Sequence, residues 1–144
     1  MAILDQYKGL LRKCSELPEV TFIPTASIGL NLALGGGIAQ SRVTQIYGPE
    51  SSGKTTTALQ IVANAQKMGL KVFWMELENA LNTSWAERLG VDTSKLDVAS
   101  PFSAELALDI MIATIKSREY GLTVVDSMAA LSPKDEQEKS MEDQ

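Results

Sequence analysis

A phosphate-binding loop is the clearest chemical feature of the sequence. The stretch with the spacing G-x-x-x-x-G-K-[ST] reads Gly48-Pro49-Glu50-Ser51-Ser52-Gly53-Lys54-Thr55. In this pattern the two glycines allow a tight backbone path, Lys54 is a point charge for the β and γ phosphates, and the Thr55 hydroxyl can bind Mg²⁺. A glycine turn between a strand and a helix is the alternative. We expect the loop to bind the phosphates of ATP.

Carboxylates at two predicted strand ends can complete such a site. A buried apolar run over residues 122–125 ends at Asp126, where an acid can hold Mg²⁺ through water. Glu76 and Glu78 close an earlier strand, and alternation places both on the same side of it. Glu78 can orient or deprotonate the water that attacks a γ-phosphate. The alternatives are a turn or cap role for Asp126 and a solvated strand end for either glutamate.

An alternating order of strands and helices would position these residues. We predict strands over residues 43–47, 71–77, 96–99 and 122–125, and helices over residues 54–67, 84–89 and 104–116. Ser103 is the predicted N-cap of the last helix. This order implies an α/β fold of the P-loop NTPase type, with a parallel sheet flanked by helices. The acidic end over residues 133–144 contains no finished element, so we expect an incomplete core.

The first residues form a separate amphipathic segment. Apolar side chains recur at helical spacing, and Pro18 ends the pattern; they are Ile3, Tyr7, Leu10, Leu11 and Cys14. We therefore divide the chain into an N-terminal helix with a linker, residues 1–25, and an ATP-binding core, residues 26–144. The helix can pack on its own core or dock on a neighbouring subunit.

Composition excludes several kinds of chemistry. The 144 residues, 44% of them hydrophobic, suffice for one modest domain. They contain no histidine, which excludes imidazole catalysis and histidine-ligated metal sites. The formal charge of -5 does not indicate the positively charged surface expected of a nucleic-acid-binding face. One cysteine and the lack of a long apolar stretch predict a cytoplasmic chain without a membrane span.

The phosphate loop and its surroundings resemble the bacterial RecA recombinases. Residues 46–56 are similar to the phosphate loop of that family, and Pro49-Glu50-Ser51-Ser52 separates it from archaeal and eukaryotic relatives. Residues 27–35, 87–92 and 124–131 are also similar to the family, in order and at similar spacing. The resemblance implies the N-terminal part of a RecA-like ATPase core.

That resemblance implies an ATP-dependent filament on single-stranded DNA that serves homologous recombination and repair, with subunits joined through the N-terminal helix. It assigns nucleotide contacts to the loop through Thr56, water activation to Glu78, and the adenine to Asn82 and Trp85. Several positions depart from the family pattern and indicate a divergent member of cellular or phage origin. They are Ser41, Glu76, Asn79, Asn82 and Thr83.

Three functions remain open from the sequence. Family members are well over twice as long, so the resemblance places the DNA-binding loops beyond Gln144 and makes this chain the ATP-binding part of a recombinase. The alternative is a stand-alone nucleotide-binding module that regulates recombinase filaments through its N-terminal helix without catalysis. A P-loop kinase would need a lid with arginines after the third strand, a region where the sequence has only Arg118.

Overall fold

The computed structural model describes residues 12–78 and 81–127 of the chain. The predicted N-terminal helix lies almost wholly outside the described residues, as does the acidic end over residues 133–144. Of the apolar N-terminal stripe only Cys14 is described. It is exposed and begins a short 3₁₀ turn, Cys14–Glu16.

A small antiparallel pair opens the described fold. Strand β1, Phe22–Ile23, pairs with β2, Ile38–Ala39, and helix α1, Ile28–Ala33, lies between them in the chain. Ile23 is only 1% exposed and packs into the main core. The packed part of the chain therefore includes residues that the sequence assigned to a linker, while the proposed division into 1–25 and 26–144 stays a prediction.

The strand predicted over residues 43–47 is not formed, and that prediction was wrong. The segment has no regular secondary structure, Val43 is fully exposed, and Tyr47 is 85% exposed. A strand needs a neighbour that accepts and donates its backbone hydrogen bonds. None of the strands that the structure describes pairs with this segment.

In the part of the chain that the structure describes, three parallel strands form a sheet. They are β3, Val72–Glu76, β4, Leu96–Ala99, and β5, Leu122–Asp126, in the order β4-β3-β5. Central β3 is buried at every residue, and its last residue, Glu76, lies in register with Asp126 at the end of β5. The three predicted strands are confirmed to within one or two residues. Their carboxyl ends place the acidic residues at one edge of the sheet.

Helices cover both faces of this sheet. They are α2, Lys54–Lys67, α3, Thr83–Arg88, and α4, Ala104–Ser117. Because side chains alternate along β3, Trp74 packs in the cluster that contains Leu59 and Val62 of α2, while Met75 packs in the cluster that contains Ala107 of α4. Each helix had been predicted at nearly these bounds. Among the described residues, no helix is long and apolar enough to cross a bilayer.

A polar cluster ties the amino ends of the three strands together. The Tyr120 hydroxyl donates to Asp97 Oδ2 at 2.7 Å, and Lys71 Nζ lies 3.1 Å from the same oxygen. The hydrogen bond from Tyr120, and next the one from Lys71, lowers the pKa of Asp97. Asp97 in turn raises the pKa of Lys71 and that of Tyr120. This cluster lies at the opposite edge of the sheet from the acidic strand ends.

Candidate functional site

The phosphate loop turns sharply into the first residue of α2. Gly53 is the N-cap of the helix and adopts a left-handed conformation with φ 88°. A residue with a side chain would be strained in this conformation. A Cβ atom at Gly48 would lie 2.9 Å from Ser52 Oγ, so the loop also closes on itself at that point. Ser52 N–H donates to the Pro49 carbonyl at 3.3 Å. The two glycines thus have the conformational roles that the motif predicts.

Among the described residues, no side chain caps the amino end of α2, which leaves backbone donors for a ligand. The first turn of any helix has N–H groups without an intrahelical acceptor. Side chains often accept from these groups, but the N-cap here is Gly53, which has no side chain. The first turn also contains no acidic residue. These N–H groups and the positive end of the helix dipole suit an anion such as phosphate.

Lys54 is held against the loop that it follows. Its ammonium donates to the carbonyl oxygens of Pro49, at 2.9 Å, and Gly48, at 3.2 Å. The side chain therefore folds back over the loop instead of extending into solvent. Its charge lies at the loop carbonyls, and its role in phosphate binding stays a prediction. Glu50, Ser51 and Ser52 are exposed in the same loop.

Thr55 and Asp126 are brought together from positions 71 residues apart. The Thr55 hydroxyl donates to Asp126 Oδ2 at 2.7 Å, which joins the first turn of α2 to the carboxyl end of β5. Both are hard oxygen ligands of the kind Mg²⁺ prefers. A Mg²⁺ site of this type needs few protein ligands because phosphates and water fill the remaining positions. The two side chains therefore fit the metal role predicted for them.

The two candidate glutamates have different surroundings. β3 ends at Glu76, so Glu78 lies in the following bend, and the expected alternation does not extend to it. Glu76 is 5% exposed, and its carboxylate accepts from Trp74 Nε1–H and from Glu78 N–H, each at 3.1 Å. Glu78 is exposed, and its carboxylate accepts from the Ser127 hydroxyl. Only Glu78 is open to water.

The predicted adenine residues lie beside the start of α2. Trp85 is 43% exposed, and its indole N–H donates to Thr56 Oγ1 at 3.4 Å. Asn82 is the N-cap of α3, and its side-chain oxygen accepts from Trp85 N–H at 2.9 Å. The helix uses one lone pair of that oxygen, so Asn82 can offer a ligand its side-chain nitrogen and the second lone pair of the oxygen.

Sequence reasoning missed two contributors to this edge of the sheet. Ser127 follows Asp126 directly and contacts Glu78, yet a lone serine after a strand gave no signal of its own. Trp74 is predicted only as part of the strand over residues 71–77. Its spacing of two from Glu76 places both side chains on the same face of β3, and this spacing was the signal that could have linked them.

The sheet is parallel and has helices on both faces. A glycine-rich loop leads into a helix beside an acidic strand end. These features define a P-loop α/β protein of the RecA-like class. The family model described as "RecA N-terminal domain" matches residues 8–144. The chain belongs to that family.

Similar proteins and a solved structure agree with this assignment. The chain is 49% identical to "Protein RecA" of Nitratidesulfovibrio vulgaris strain DP4 and to that of Thermus aquaticus, with 94% and 95% of this chain covered. It spans only 39% and 41% of those two relatives. The crystal structure of the RadB recombinase superposes with a TM-score of 0.63 at 28% identity, covering 81% of this chain and 56% of that one.

Proposed function

We propose that the chain is the ATP-binding part of a RecA-like recombinase, which uses ATP with Mg²⁺ to form filaments on single-stranded DNA for homologous recombination and repair. The observation that carries the nucleotide part is the 2.7 Å hydrogen bond between Thr55 and Asp126. It puts the phosphate loop and an acidic strand end at one point. Membership of the RecA N-terminal domain family and the likeness to the RadB recombinase support the recombination part.

The residues of the site divide the work by their chemistry. The first-turn N–H groups of α2 and the Lys54 ammonium bind the phosphates, and Thr55 with Asp126 holds the metal. When bound, Mg²⁺ neutralises charge on the β and γ phosphates. Glu78, exposed at the end of the sheet, orients the attacking water and accepts its proton.

Trp85 and Asn82 complete the site on the adenine side. The indole offers a large apolar face for stacking, and its contact with Thr56 keeps it at the loop. The capped start of α3 fixes the position of Trp85, because its own N–H is the donor to Asn82. The proposed adenine pocket thus lies between the first turns of α2 and α3.

On this proposal, DNA binding and filament assembly are functions of a longer protein of which this chain is one part. The chain spans about two fifths of its RecA relatives and has a formal charge of -5. We therefore place the main DNA contacts in the part of those relatives that this chain does not span. We assign subunit contacts to the N-terminal helix and a cytoplasmic location to the protein.

The metal requirement of ATP binding tests the nucleotide part. Mg²⁺ should tighten ATP binding to the wild-type chain by about tenfold or more, since charge-assisted contacts contribute about 1.5 to 3 kcal/mol each. Asp126→Asn should lose most of this gain, whereas Asp109→Asn, at an exposed position of α4, should keep it. Calorimetric titration with and without a chelator measures both. If the Asp126→Asn variant kept the full gain in affinity from Mg²⁺, Asp126 would not be a residue of the metal site.

A further inference from the structure

Glu76 is a buried carboxylate that the proposed reaction does not use. It lies at the end of the central strand with 5% of its surface exposed. A carboxylate removed from water destabilises the fold unless hydrogen bonds replace its hydration. Its contacts therefore show what the fold gains from keeping this residue.

The two oxygens of Glu76 accept from different donors. Oε2 accepts from the indole N–H of Trp74, and Oε1 accepts from the backbone N–H of Glu78, both at 3.1 Å. Trp74 is completely buried in the core between β3 and α2. An indole nitrogen is a donor only, and in this position water cannot replace its acceptor. Trp74 therefore anchors the carboxylate to the buried core.

The hydrogen bond from Glu78 N–H to Glu76 lies just beyond the last paired residue of β3. Leu77 N–H still donates to the Asp126 carbonyl at 2.8 Å, but Glu78 N–H turns to the Glu76 carboxylate. The side chain of Glu76 thus supplies an acceptor for an N–H group that lies beyond the last strand pairs of β3. It fixes the backbone from which the Glu78 carboxylate reaches the hydroxyl of Ser127, the residue that follows Asp126.

We propose that Glu76 is a positioning residue: anchored by Trp74, it fixes the main chain of Glu78 and so aims the Glu78 carboxylate at the phosphate site. The catalytic part of this inference rests on the proposed function of Glu78, while the positioning contact does not. Trp74 and Glu76 then act as one unit, two residues apart on one face of β3.

Glu76→Gln separates the two donors, because each bonds a different carboxylate oxygen and glutamine replaces one of these oxygens with an NH₂ group that cannot accept. Trp74 N–H is buried and needs the remaining oxygen, whereas Glu78 N–H is near water and can be released. The variant should therefore lower the rate of ATP hydrolysis by about 10- to 100-fold. ATP affinity should be nearly unchanged. Glu78→Gln gives the full loss for comparison, and Glu119→Gln, exposed at the opposite edge of the sheet, is the matched control.

The double variant Trp74→Phe/Glu76→Gln gives the sharper result. Phenylalanine removes the competing donor, so the glutamine oxygen can return to Glu78 N–H. We expect the double variant to hydrolyse ATP faster than Glu76→Gln alone. A purely structural role for Glu76 predicts the opposite, since the second substitution would add a further packing defect. A double variant slower than the single one would overturn the inference.

Amide hydrogen exchange tests the contact without any activity. In the ¹⁵N-labelled full chain, Glu76→Gln should speed exchange of the Glu78 amide, and the double variant should slow it again. The Leu77 amide, which donates to Asp126, is the internal reference and should not change. Equal Glu78 exchange in the wild type and Glu76→Gln would overturn the inference even if hydrolysis were normal. Absent ATP hydrolysis in the wild type would contradict the proposed function alone, because exchange still decides the contact.

Trp74→Phe provides a second variant if Glu76→Gln does not fold. It keeps a large apolar ring in the core but removes the anchor of the carboxylate. Glu78 exchange should rise moderately against the Leu77 reference. Unchanged exchange in this variant would show that Trp74 does not hold Glu76 in place and would overturn the anchored form of the proposal.

Discussion

Neighbouring threonines at the start of α2 contact different elements. Thr55 donates to Asp126 at the end of β5, and Thr56 accepts from Trp85 in α3. A single helical turn therefore meets both a strand end and the following short helix. This arrangement gives the proposed metal site and the proposed adenine site a common support.

Trp85 should report nucleotide binding by its fluorescence. It is 43% exposed beside Thr56, whereas Trp74, the other tryptophan, is completely buried. ATP or ADP should change the emission of Trp74→Phe, which keeps Trp85, much more than that of Trp85→Phe. Comparable changes in both variants would make Trp85 a packing residue and move the adenine elsewhere.

The sequence could identify these residues by type but could not reveal all of their contacts. The order of Gly53, Lys54 and Thr55 specified a helix start with a charge and a hydroxyl, and the structure has them there. Glu76 and Glu78 were not distinguishable by alternation, because alternation does not show where a strand ends. Burial separates them, and burial depends on residues far away in the sequence.

At the scale of elements, the amino ends of the strands are joined by the Asp97 cluster. The pKa of Asp97 lies below its ordinary value of 3.8, first because Tyr120 and then because Lys71 hydrogen-bonds its carboxylate. A lowered pKa in the folded state adds stability above about pH 3.8, and this stability is lost as the pH falls through the lowered value.

Asp97→Asn should therefore destabilise the protein at neutral pH by an amount that shrinks in acid. The difference in urea midpoint between wild type and Asp97→Asn should be constant above about pH 5 and should decline below pH 3.8. Asp109→Asn, on the exposed face of α4, controls for the general loss of a carboxylate. A difference that stays constant down to the lowest pH at which the protein folds would show that Asp97 is not stabilised as the anion.

An element could be predicted when residues within it or next to it in the sequence determine its structure. Helix α2 was predicted at its observed bounds because its start is set by Gly53 and its apolar positions repeat within the helix. Central β3 was predicted because an unbroken apolar run is typical of a strand buried on both faces. The segment over residues 43–47 has strand-forming residues as well, but pairing requires a neighbour, which composition does not reveal.

At the scale of the whole molecule, charge limits what these residues can bind. With a formal charge of -5, the chain repels a phosphate backbone except at local basic points. We expect residues 1–144 alone to show no ATPase stimulation by single-stranded DNA. An ATPase assay with and without oligonucleotide measures this, and a salt titration of DNA binding accompanies it. Tight, salt-sensitive DNA binding would show that this part of the protein contacts DNA directly.

The central claim is that residues 48–55 bind the phosphates of ATP, and Lys54→Ala tests it most directly. Titration with a fluorescent ATP analogue should show a loss of affinity of about 10- to 100-fold, since the lysine contributes charge-assisted contacts of about 1.5 to 3 kcal/mol. Lys67→Ala, at the other end of α2, removes the same charge and should bind as the wild type does. Wild-type affinity in Lys54→Ala would contradict the claim.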